Sequence, residues 1–77
     1  MRVTPEQLTI LQEELSADLV KILMEEWHYP MEKALEVYYN SDTFALIQND
    51  ETGLYYQSAG YVYSFLEEEL KRGRVDA

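Results

Sequence analysis

The apolar positions Leu8, Leu11, Leu15, Leu19, Ile22 and Leu23 recur at the three- and four-residue spacing of a single helix face, while Glu14, Asp18, Lys21 and Glu25 fall opposite. The run opens on Thr4-Pro5-Glu6-Gln7, where Thr4 can cap, Pro5 loses no hydrogen bond at the first helical position and Gln7 can close a capping box. A long first helix over 5–27 is predicted. Its second half carries an additional apolar stripe of Val20, Met24 and Trp27, as expected of a central helix against which others lean.

Pro30 biases Tyr29 away from helical backbone and is suited to start a new helix, so a second helix is predicted over 30–39. Met31, Ala34, Leu35, Tyr38 and Tyr39 form its apolar face; Glu32, Lys33 and Glu36 take the other side. Asn40, Ser41 and Asp42 supply turn and cap chemistry, and Phe44 and Ile47 mark a shorter helix over 41–48. Asn49 to Gly53 reads as a turn with a left-handed glycine, followed by an extended Leu54 to Gln57. Ser58 then caps a last helix over 58–72, with Ala59, Val62, Phe65, Leu66 and Leu70 on its apolar arc and Gly73 just past its end. On this helix Glu67 with Lys71 and Glu68 with Arg72 stand at the favourable four-residue spacing. A hairpin of Leu54–Gln57 with Tyr61–Phe65 is the rival reading, favoured by β-propensity alone. The pattern therefore predicts an all-α chain forming one domain over 1–77, a compact bundle of three to four short helices behind one long N-terminal helix.

Composition adds that the chain should fold and what it should avoid. At 77 residues it can hide only about 60% of its unfolded surface, a narrow margin, but 47% hydrophobic and 13% aromatic content is too rich for a disordered acidic segment. A net charge of −9 disfavours direct contact with nucleic acid, and the cluster Lys71, Arg72 and Arg74 is explained as cations at a helix C-terminus. With no cysteine there is neither a disulfide nor a thiolate metal site, and no stretch reads as a signal peptide or membrane span. The expected setting is the cytoplasm.

Candidate chemistry is sparse. Glu25 and His28 form one Glu-x-x-His step, but a di-metal bundle needs two such steps and two further glutamates, and the chain has a single histidine. Glu14 with Asp18 and Glu32 with Glu36 lie on solvated faces, where a raised carboxyl pKa is hard to arrange. No nucleophile–histidine–acid set or phosphate loop is present, so no enzyme activity and no cofactor is expected. The tyrosines remain. Tyr61 and Tyr63 fall at the borders of the last helix's apolar arc and read as core-edge rings, whereas Trp27, Tyr29, Tyr55 and Tyr56, at helix ends or in a connection, are the candidate partner-binding residues.

The segment YNSDTFALIQNDETGLYYQSAGYVYSFLEEEL resembles the matching portion of an uncharacterised family of short bacterial helical proteins from gut-dwelling and other anaerobic lineages. The likeness spans most of the chain after the first helix and rests on Tyr39, Asn40, Ser41, Thr52, Gly53, Leu54, Tyr55, Gln57, Ser58, Tyr61 and Tyr63. It implies a compact helical fold and a bacterial cytoplasmic setting but points to no activity, since none is assigned to that family. Some similar small proteins are encoded beside toxin-like reading frames, which adds an antitoxin-like or accessory role.

Three functions are thus in view. The leading one is a non-enzymatic module that binds a partner protein or a second copy through an aromatic patch. Next is an acidic decoy masking a basic surface, with Glu13, Glu14, Asp18, Glu25, Glu67, Glu68 and Glu69 supplying the charge. Last is a small-molecule binder with Trp27, Tyr38 and Tyr56 around a pocket.

Overall fold

The computed structural model describes residues 4–73, so Arg74 of the C-terminal basic cluster lies outside the described residues. Four α-helices form: α1 (Pro5–Glu26), α2 (Met31–Tyr39), α3 (Asp42–Gln48) and α4 (Ala59–Lys71), with two 3₁₀ turns, Asp50–Thr52 and Leu54–Tyr56, between α3 and α4. No strand occurs among the described residues, which excludes the hairpin and makes the chain all-α. The segment expected to be extended is instead the second 3₁₀ turn, entered through Gly53 at φ 71°. The molecule measures 37 × 21 × 18 Å, its long dimension set by α1, which at 22 residues spans about 33 Å.

Three of the four helices described start on a side-chain cap, and α2 starts on a proline. Thr4 Oγ1 accepts from the Gln7 amide while Gln7 Oε1 accepts from the Thr4 amide, closing the capping box of α1. Ser41 caps α3 by accepting from Phe44, and Ser58 caps α4 by accepting from Tyr61. Pro30 stands at the N-cap of α2 rather than inside it, with an extended ψ of 162°. The end of α1 is less conventional: His28 takes up a left-handed φ of 56°, the conformation usually given to glycine after a helix.

The core is Leu15, Leu19, Val20 and Leu23 of α1, Ala34, Val37 and Tyr38 of α2, Ile47 of α3, and Val62 and Leu66 of α4. α1 packs against all three other helices and the Leu54–Tyr56 turn, as a central helix should. Its buried residues lie between Leu15 and Leu23; Leu8 and Leu11, expected on the core face, are only half-buried because the other elements cover the second half of α1 more fully.

Two helix faces differ from their expected orientation. On α2 the buried set is Ala34, Val37 and Tyr38, while Met31 is 58% and Tyr39 51% exposed, so the inward face is rotated toward Val37. On α4 the buried set is Val62, Leu66 and Glu69; Phe65 is 41% exposed and stacks edge-on with exposed Tyr61. Both differences have one cause. A helix of nine or thirteen residues touching several neighbours turns toward whichever contacts bury most, and a buried carboxylate is tolerated where donors await it.

Candidate functional site

Glu69 shows how such donors decide. Its carboxylate accepts from the amides of Asp42 and Thr43 at 2.7 and 3.0 Å and from the Thr43 hydroxyl at 2.8 Å, at the positive end of α3. Glu69 is thus a structural clamp between α3 and α4 and leaves the acidic surface set to which the sequence assigned it. Val62, Leu66 and Glu69 follow i, i+4, i+7 spacing, the signal that could have placed it inward. A second internal polar contact, Ser16 Oγ to Tyr38 Oη at 2.6 Å, ties α1 to α2 across the core. No buried side-chain nitrogen or oxygen lacks a partner among the described residues.

The four candidate aromatics occupy two places. Trp27 and Tyr29 are half-buried with ring centroids 6.0 Å apart; Trp27 Nε1 donates to Tyr63 Oη at 2.9 Å, and the Lys33 ammonium lies 5.8 Å from the Tyr29 ring. Tyr63 is accordingly a core-edge ring, whereas Tyr61 is exposed. Tyr55 and Tyr56 meet edge-on at 5.1 Å in their turn, Tyr55 half-buried and Tyr56 63% exposed. Among the described residues no ring contact joins the two pairs. Trp27, Tyr38 and Tyr56 do not enclose a common pocket, because Tyr38 is fully buried and Tyr56 faces solvent. Nor does the Glu25–His28 step assemble a metal site: no group of three or more potential ligands converges among the described residues.

A concave surface lies elsewhere among the described residues. A groove of about 620 Å³ runs between α1 and the α2–α3 corner. From α1 it takes Gln12, Ser16, Ala17, Val20 and Met24, and from the other side Met31, Leu35, Tyr39 and Phe44. Within this lining Tyr39 and Phe44 meet edge-on at 4.9 Å, and buried Tyr38 stands against both, at 5.1 and 5.3 Å. Gln12 Nε2 donates to the Ile47 carbonyl at 2.9 Å and so fixes α3 against α1 beside the groove. None of Trp27, Tyr29, Tyr55 and Tyr56 lines it. The exposure of Met31 and Tyr39 that reorients α2 is what opens this surface. Its sequence signal was present in the second-helix apolar face, of which Met31 and Tyr39 stay exposed and Leu35 is only partly buried against the core.

No family model, curated protein or solved structure matches the chain. The likeness of its C-terminal segment to short bacterial helical proteins gains no support from these comparisons.

Proposed function

We propose that the protein is a non-enzymatic interaction module that docks a segment of a partner protein into the α1–α2 groove. The observation that carries this reading is the pairing of two large, more than half-exposed side chains, Met31 and Tyr39, with an apolar floor of Val20, Leu35 and Phe44. Exposed apolar surface of this kind, rimmed by polar residues such as Thr9, Gln12, Glu13 and Gln48, is where proteins meet one another. Methionine and tyrosine are also suited to it: one adapts its shape, the other supplies area at low entropic cost.

In this reading the protein works in the cytoplasm, without a cofactor, and at a net charge of −9 makes no direct contact with nucleic acid. No described helix is long and apolar enough to cross a membrane. The decoy function is subordinate, since charge alone leaves the apolar groove without a role.

The reading is tested by placing a photo-crosslinking amino acid at Met31, at Tyr56 or at Glu68 in cells that express the protein. A discrete crosslinked partner at position 31, lost on Tyr39→Ser, is expected. Crosslinking confined to position 56 would move the interface to the Tyr55–Tyr56 turn.

A further inference from the structure

We infer that the segment taken by the groove is a basic amphipathic helix of about four turns, an inference that rests on the groove being the docking surface. Length is the first argument. Along α1 the groove runs from Thr9 to Met24, a span of 24 − 9 = 15 residues, or about 22 Å at 1.5 Å per residue. A trough of that length with an apolar floor accepts a helix presenting anchors at i, i+3 or i+4, and i+7.

Charge supplies the second argument. Glu13 lines the α1 wall and exposed Glu14 stands one residue further out. On α2, Glu32 and Glu36 each follow a groove residue, Met31 and Leu35, by one position, which sets them 100° around the helix on its exposed outer edge. The lining itself holds one carboxylate, Glu13, and one cation, Lys21, so the acidic excess comes from the flanking Glu14, Glu32 and Glu36. The rim therefore favours a partner with lysine or arginine flanking its apolar stripe. A second copy would bring two acidic rims and two charges of −9 together. A small apolar molecule would leave the outer faces of Met31 and Tyr39 wet.

The test uses the full chain and two fluorescein-labelled sixteen-residue helical peptides, both with leucine at groove spacing, one with lysine elsewhere and one with glutamate. Anisotropy is read at about 0.05 M and about 0.3 M salt, spanning the range over which screening tightens. The leucine–lysine peptide should bind, weaken at least about fivefold at the higher salt, and weaken about tenfold on Glu13→Lys/Glu36→Lys. Glu67→Lys/Glu68→Lys on α4, which changes net charge equally, should cost less than about threefold. All four substitutions lie on exposed or half-exposed helix positions, and thermal melts verify that both variants stay folded. Equal losses in the two variants would overturn the rim in favour of general charge attraction. Tighter binding of the leucine–glutamate peptide, abolished by Tyr39→Ser, would overturn the basic partner yet leave groove docking standing. Binding of neither peptide, with a dimer in light scattering or uptake of the neutral dye N-phenyl-1-naphthylamine, would overturn both.

Discussion

His28, Glu69 and Tyr38 each do something their residue type does not advertise. The left-handed backbone of His28 strains a side chain bearing a Cβ, so His28→Gly should raise stability by about 0.5–1 kcal/mol in urea denaturation. Removing the Glu69 carboxylate takes the shared acceptor from the Asp42 amide and from the amide and hydroxyl of buried Thr43; Glu69→Ala should cost about 2–4 kcal/mol, and Glu68→Ala less than about 0.5. Burial pushes the Tyr38 hydroxyl above its ordinary pKa of 10.0, opposed by its bond to Ser16. Tyr63 is also raised, by burial first, opposed by its bond to Trp27. The unfolded chain then loses these protons before the folded one does. The protection is complete below pH 10.0 and lost as pH rises through the folded values, so stability should fall in alkali. Denaturation midpoints measured from pH 8 to above pH 10 should decline in the wild type and flatten in Tyr38→Phe/Tyr63→Phe.

At the scale of elements, α4 separates packing from hydropathy. Leu66 is fully buried and Phe65 is 41% exposed, although both are large and apolar. Leu66→Ala should cost about 2–5 kcal/mol, enough to unfold much of a domain this small, whereas Phe65→Ser should shift the melt by under about 1 kcal/mol. The helices themselves were legible because their starts are written locally: Thr4-Pro5-x-Gln7, Ser41 and Ser58 satisfy the first amides whatever surrounds them. Gly53 was legible for the same reason. The facing of α2 and α4 was less so: the i, i+4, i+7 spacing of Val62, Leu66 and Glu69 was available, but a carboxylate is buried only where the α3 amides meet it, and Val37 faces inward through contacts with other helices. The groove was half legible. Met31, Leu35 and Tyr39 stood out as apolar, but their exposure depends on where α1 and α3 end up around them. Trp27 and Tyr29 stood out for sitting at a helix end, and that end proved to be partly covered by α1–α4 packing through the Trp27–Tyr63 bond.

At the scale of the whole molecule, an acidic composition is joined to an apolar trough between α1 and the α2–α3 corner. Its net charge of −9 opposes the approach of a second copy while Met31, Tyr39 and Phe44 offer surface that water covers poorly, a combination that suits the proposed basic amphipathic partner. Light scattering over a concentration series should accordingly give a monomer. The chain holds three methionines, and two of them, Met24 and Met31, line opposite walls of the groove. Methyl-labelled methionine therefore makes the groove visible by NMR with almost no other signals. On titration with the leucine–lysine peptide to saturation, the Met24 and Met31 methyl resonances should both shift and then stop shifting at the same peptide concentration. Saturable binding that leaves both resonances in place would contradict a docking surface between α1 and α2.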